Sequence, residues 1–481
     1  MPKVLNVSNF LRLGSLGLLG EVSLLAYLGM AWLSQEFVHG QGHRQRPIGL
    51  FVVVYLIVWG FAMLALRQTR RLSHDRLGMG VIVSFAVLFR LTLLFSQPIQ
   101  EDDFYRYLWD GKVVASGLNP YLVAPLTVRN PAASDEEAQR FAHLARQDEN
   151  MAQILARVNH PHVPTIYPPL AQGIFALAAW LAPGSLLALR LVLFGFDLAM
   201  CGVVVAILRH CASNVLLIVV YAWSPLVIKE TVNSAHYDVV PTFFLAFALW
   251  CGLKEKLMAA YASLALAILG KMYPVLLLPV FLWRTVRLHG CRQALFGFGV
   301  VCTVIVLGYM PFLDAGAMLW QGALAFADHW QSNSLLFPLL VWLTGERWMA
   351  NVVVVVLLGC TLIALLHVYD VRVEREFLWV NFLAIGALLL LSPVGNPWYF
   401  LWIMPFLCVF PLRSWLLLSG LLGLYYLWFS FVYRGAVETF RWVIWLECVP
   451  FYGMLLWEWY ATRGGVDESP ASAKPGVRVA L

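Results

Sequence analysis

Charge is scarce in this chain: 12% of its 481 residues are Asp, Glu, Lys or Arg, against 61% that are hydrophobic. A soluble globule needs a charged surface, so this shortage excludes one. A mean hydropathy of +0.74 points instead to a chain solvated by lipid. The eight cysteines lie singly, with no C-x-x-C pair and no His/Cys cluster at ligand spacing. That excludes a disulfide framework and a structural zinc site, and the cysteines read as small hydrophobes. Walker A, Rossmann glycine and HExxH patterns are missing, so soluble nucleotide and zinc-peptidase chemistry lack support. The first apolar stretch, about 10 to 33, is long and lacks a small-residue exit, so no cleavable signal peptide is expected. The net charge of +6 is modest and reports loop orientation rather than nucleic-acid binding.

What is present is a succession of apolar runs near the length that a bilayer demands of a helix, about 20 residues. Three of them, 10 to 33, 49 to 66 and 79 to 96, are followed by about 70 residues without one, and the series resumes from 168 to 460. The fold class is all-α, a polytopic transmembrane helical bundle with about 12 to 14 membrane helices. Its parts are N-terminal transmembrane helices (1–96), an external loop (97–167), a transmembrane bundle (168–460) and a disordered cytoplasmic tail rich in Pro, Gly, Ala and Ser (461–481). Basic loops at 67 to 76 and 283 to 292, placed in the cytoplasm, put the long loop outside. Parity then requires 168 to 182 and 334 to 345 to stop short of crossing, and 257 to 283 to be two short arms meeting near Lys271. Pro274 in "GKMYP" supplies the break.

The polar islands converge on the external side under this topology. "EDDFYRYLWDGK" predicts a helix over 102 to 116 that carries Asp103, Arg106, Tyr107 and Asp110 on one face. Phe104, Leu108 and Val114 would rest on the membrane interface. Such a face suits an acid/base or donor-binding site, since a carboxylate beside a low-dielectric cavity is readily protonated. It equally suits an amphipathic interfacial helix with solvated charges. Lys229, Glu230, Asn233, His236 and Asp238 read as a functional cluster or as a salt-bridged helix end. Lys271 either pairs with a phosphate or snorkels to the interface. Asn159, His160, His162 and Tyr167 lie among prolines, as a rigid loop would. His329 and Asn333 share a helical face, and Trp398, Tyr399 and Trp402 read as interfacial belt aromatics, with sugar stacking as the alternative.

"DDFYRYLWDGKVVASGLNPY", "NHPHVPTIYPPLAQ", "NSAHYD", "GKMYP" and "PWYFLW" together resemble bacterial polytopic glycosyltransferases of the GT-C class. Within that class they are similar to the mannosyltransferase-like group distantly related to the first mannosyltransferase of GPI-anchor assembly. The likeness runs in order from about residue 98 to 405. It implies transfer of a hexose such as mannose from a polyprenyl-phosphate donor to a lipid or glycan acceptor, at the periplasmic or exterior face of a bacterial inner membrane. The family's acidic motif falls on Asp102 and Asp103, one of them a general base. The strict D-x-D form is absent, which leaves open both the choice between the two and the role of a divalent cation, Mg or Mn. Displacing a phosphate needs positive charge, for which Lys271, Arg106 and Lys229 are the local supply. Tyr107, Asp110, Tyr121, His160, His162, Tyr167, Asn233, His236, Asp238, Tyr273, His329, Asn333, Asn396, Trp398 and Tyr399 would line sugar and acceptor. A lipid-linked sugar flippase would need pseudo-repeated halves, which are not evident. A glycan ligase or polymerase differs in donor and is separable by assay.

Overall fold

Apolar runs leave the backbone one way to satisfy its own hydrogen bonds away from water, and the chain takes it: the structure is 79% helical, with no strand among the described residues. The computed structural model describes residues 7–38, 40, 42–72, 76–334 and 336–464. The tail after 464 lies outside them. Seven of the described helices are long and apolar enough to cross a membrane: Phe10–Phe37, Ile48–Thr69, Arg76–Leu94, Leu186–His210, Cys291–Ala315, Arg347–Val368 and Arg413–Tyr433. An eighth crossing is available if Val215–Ala222 and Pro225–Asn233, bent by 54° where they meet, act as one span. Pro225 lacks the backbone donor that would continue the first piece, and Ser224 caps the second by accepting from the Val227 amide.

Other apolar runs appear as short pieces. Pro169–Leu181 has 13 residues and Leu336–Thr344 has 9, both shorter than a crossing needs. Leu257–Gly270 ends at Lys271, whose extended backbone turns the chain before a tight turn, Tyr273–Leu277, and a second arm, Leu278–His289. This is the broken pair that Pro274 implied.

The long polar loop is itself folded. Phe104–Ala115, Pro125–Arg129, Glu136–Arg146 and Glu149–Arg157 enclose a second apolar core beside the main one. Asp135 and Asp148 cap the last two helices by accepting from the amides of Ala138 and Asn150, each at 2.9 Å. Phe104 and Leu108 belong to this core, which corrects their expected place on the membrane interface. The helix carrying them has protein rather than lipid over its apolar side. Its other side lies directly against Pro169–Leu181, where a Cβ on Gly111 would sit 2.3 Å from the Phe175 carbonyl oxygen.

Some charges inside the bundle are paired. Arg90 and Asp197 are both fully buried and form an ion pair. Arg90 also donates to the Ala222 carbonyl at 2.7 Å, and the Tyr221 hydroxyl donates to Asp197 at 2.8 Å. The cluster therefore joins three segments of the main core. Removing one member leaves the other uncompensated in low dielectric, so Asp197→Ala should cost about 3–5 kcal/mol. A clear fall in the melting temperature of the detergent-purified variant checks this, and wild-type melting would contradict it.

Candidate active site

The acidic motif is held from behind. Arg190, buried in Leu186–His210, donates to the carbonyls of Leu94 and Ser96 at 2.9 and 2.7 Å and to that of Asn233. The Asn233 amide donates to the Ser96 hydroxyl and the Gln97 carbonyl, both at 2.7 Å, while its oxygen accepts from the Ile99 amide at 2.9 Å. Asn233, expected among the substrate-binding residues, is thus a fully buried anchor of the loop. Gln100 follows with φ of 66°, and the next three residues are the carboxylates Glu101, Asp102 and Asp103.

One amide gathers two of them. Nδ2 of Asn159 donates to Asp103 at 2.6 Å and to Asp102 at 3.1 Å. Loss of surrounding water, reinforced by the Asp103 charge, pushes the Asp102 carboxyl up to about 6. Glu101 is buried and rises well above the carboxylate range, first through desolvation and then through its acidic neighbours, although Lys229 opposes the shift. Asp103 faces His236, whose Nε2 lies 3.8 Å from the carboxylate. The other ring nitrogen, Nδ1, lies 2.8 Å from Glu230, and the ring stacks on Trp398 at 4.0 Å. Glu230 also accepts from the Tyr426 hydroxyl, which receives Nζ of Lys229 at 2.5 Å.

A second charged pair sits nearby. Nζ of Lys271 donates to Asp238 at 2.6 Å, and Nε1 of Trp402 donates to the same oxygen at 2.8 Å. The ammonium lies 4.1 Å from the Tyr399 ring centre and 5.4 Å from that of Tyr237. Tyr273 and Tyr399 stack on Trp402, at 4.0 and 4.5 Å between ring centres. Tyr107 and Tyr167 extend this aromatic wall through edge contacts with Tyr237. Trp398, Tyr399 and Trp402 are therefore buried packing partners of the charged groups, which corrects the belt reading. The turn Pro397–Trp402 carries them into the bundle.

Several expected ligands serve the scaffold. Nη2 of Arg106 donates to the carbonyls of Asn159, His160 and Val163, so this guanidinium staples the loop. Lys229 is fully buried, its ammonium paired with Glu230 and donating to the Tyr426 hydroxyl. Asp110 is buried, with its carboxyl raised by desolvation, and accepts from Gln172 at 3.4 Å. It supports the "TIYPPLAQ" turn. The Tyr121 hydroxyl donates to the Tyr167 carbonyl at 2.7 Å. Asn333 donates to the Gly395 carbonyl and to Glu447, bracing the segment above Trp398. His160 sits beside the motif, 4.6 Å from the Trp330 ring, and burial lowers its imidazole. His162 and His329 are exposed, and His329 is spent on its own helix through the Ala325 carbonyl. Asn396 keeps a buried Oδ1 without a partner among the described residues.

Asn159, Glu230 and Tyr426 complete the arrangement without having been chosen as site residues. Among the described residues, no group of three or more His, Cys, Asp or Glu could hold a metal ion.

The raised Asp102 carboxyl has a stability consequence. The folded state holds this proton more tightly than the unfolded chain, whose Asp titrates near about 3.9, so the contribution is full below that value. It is lost as pH rises through about 6. The melting temperature of Asp102→Asn should therefore gain on wild type between these limits and run parallel above them. A pH-independent difference between the two curves would contradict it.

Residues 13–287 match the family model described as Alpha-(1->6)-mannopyranosyltransferase, N-terminal domain, a stretch that includes Asp102, Asp103, His236, Asp238 and Lys271. No curated protein and no solved structure matches the chain. With a multi-pass helical bundle and more than half of its 481 residues inside the matched region, the chain belongs to the alpha-(1->6)-mannopyranosyltransferase family.

Proposed function

We propose that the chain transfers a mannose-like hexose from a polyprenyl-phosphate donor to a lipid or glycan acceptor at the outer face of a bacterial inner membrane. The observation that carries this reading is the meeting of Asp103, partly exposed and paired with a buried histidine, with Lys271 on the same aromatic wall. Asp103 takes the proton of the acceptor hydroxyl, and that oxygen attacks the anomeric carbon. The lipid phosphate departs with the bonding electrons. Lys271, with 17% of its side chain at the surface, meets the charge that develops on the phosphate. Asp102 orients the acceptor. The donor's lipid carrier suits a site embedded among membrane helices, because such a donor arrives laterally through the bilayer. The loop 97–167 acts as the catalytic cover and 168–460 as the catalytic bundle, with the basic loops in the cytoplasm.

The test is transfer of radiolabelled sugar by the purified protein from a panel of polyprenyl-phosphate sugars, with a sugar nucleotide as the contrast and with chelator added. Asp103→Asn should lower turnover by a factor of about 10² or more, the range for losing a general base. Lys271→Met should lower turnover on the lipid-phosphate donor and should also lower melting, because it leaves the buried Asp238 without its cation. Transfer from the nucleotide alone, or full activity in Asp103→Asn, would reject the mechanism.

A further inference from the structure

His236 was expected to touch substrate, yet it is fully buried and its Nε2 has no hydrogen-bond partner among the described residues. A buried polar nitrogen left unpaired is costly, so its placement opposite a partly exposed carboxylate needs a reason. The surroundings give one. Glu230 lies against Nδ1 and is itself supported by the Tyr426 hydroxyl and by Lys229 at 3.5 Å. A carboxylate so placed accepts Nδ1–H. The lone pair of the neutral ring is then on Nε2, directed at Asp103. Trp398, stacked 15° from coplanar, fixes the plane of the ring.

We propose that His236, oriented by Glu230, is a positioning residue that takes on from Asp103 the proton lost by the acceptor hydroxyl. This rests on Asp103 being the base of the reaction proposed above. The acceptor O–H bond breaks while its oxygen forms the new bond to the anomeric carbon. The carbon–oxygen bond to the lipid phosphate breaks, and its electron pair leaves with the phosphate. In the same step the acceptor proton passes to one oxygen of Asp103 while the proton on its other oxygen passes to Nε2, so that Asp103 ends neutral as it began and an imidazolium stands beside the Glu230 carboxylate. The 3.8 Å separation closes to a hydrogen bond by rotation of Asp103 about its contact with Asn159. After release of product the proton returns through Asp103 to water.

The charged and titratable groups around the ring are consistent with this role. From its own segment these are Lys229 and Glu230. The loop brings Glu101, Asp102 and Asp103, and the turn Leu422–Tyr426 brings Tyr425 and Tyr426. Among them Lys229 is the cation, and it lies on the Glu230 side. The Asp103 side therefore favours a positive ring as the proton arrives.

Three measurements on the full chain in detergent test the relay. In single turnover with a polyprenyl-phosphate mannose, His236→Gln should lower the rate about 100-fold and leave KM within about threefold, since its amide cannot hold a proton. It should also remove the acid limb of the rate–pH profile, which a merely structural role would leave in place. His236→Asn, which keeps a donor toward Glu230, should behave in the same way. In wild type, the rate in mixed H2O and D2O should fall along a curve, because two protons move together. A straight line, or wild-type rate and acid limb in the two variants, overturns the relay while Asp103→Asn remains inactive. If Asp103→Asn is itself active, the base assignment falls and takes the relay with it. Should neither histidine variant fold, the mixed-solvent curve of the wild type decides.

Discussion

The clamp of Arg190 on the carbonyls of Leu94, Ser96 and Asn233 is the contact on which the site depends. It is made where three segments meet: the end of Arg76–Leu94, the span Leu186–His210 and the turn Lys229–Asn233. The carbonyls it satisfies are those that a helix end leaves open, and the buried surroundings offer little water to replace it. Asn233 extends the clamp by one side chain to Ile99, two residues before Glu101. The acidic motif therefore starts from a fixed point, and Asn159, itself set by the Arg106 staple through its carbonyl, closes the loop from the far side. Two arginines that never reach the carboxylates determine where they stand.

The same turn sets the chemistry. Glu230 and His236 are six residues apart, a spacing that faces nowhere in particular on an α-helix. The backbone instead widens by one residue at Lys229–Asn233, so that the Ser234 amide reaches the Lys229 carbonyl, and Ala235 takes a φ of 59°. That detour brings the ring back over Glu230, with its own amide on the Glu230 carbonyl at 2.9 Å. Wide turns of this kind strain a helix and persist where neighbouring structure holds them. Here the neighbours are Arg190 on one side and Tyr426 on the other.

Legibility in the sequence followed the range of the interaction. The helix Phe104–Ala115 and the break at Lys271 were readable because period, glycine and proline act within a few residues. Convergence of the polar islands was readable too, since ionisable groups in a lipid-solvated chain have few places to go. Which member of an island touches substrate was not. Arg106 and Lys229 looked like phosphate ligands by charge alone, and only contacts 53 and 197 residues away, to Asn159 and Tyr426, show them occupied. Phe104 and Leu108 looked lipid-facing because helices 136 to 157, which cover them, are amphipathic and short, with no apolar run to announce a second core. The pairing of Glu230 with His236 was hidden by the wide turn.

Charge compensation gives the site its polarity. Asp238 and Lys271 neutralise one another, and Trp402 shares the carboxylate, so this pair costs little to keep away from water. Lys229 and Glu230 do the same behind the ring. What is left over is acidic: Glu101, Asp102 and Asp103 in sequence, with a single amide and a neutral ring for company. Burial, reinforced by the charge of its acidic neighbours, makes two of these three adjacent carboxyl groups hold their protons more tightly than an exposed carboxylate does. In the proposed reaction, a site whose surplus is negative repels the phosphate of an arriving donor from the acidic end and leaves the lysine end as its seat. The same surplus draws a hydroxyl proton toward Asp103. Segregating the two charges along one aromatic wall thus separates, in the proposed reaction, the group that takes a proton from the group that receives a leaving anion.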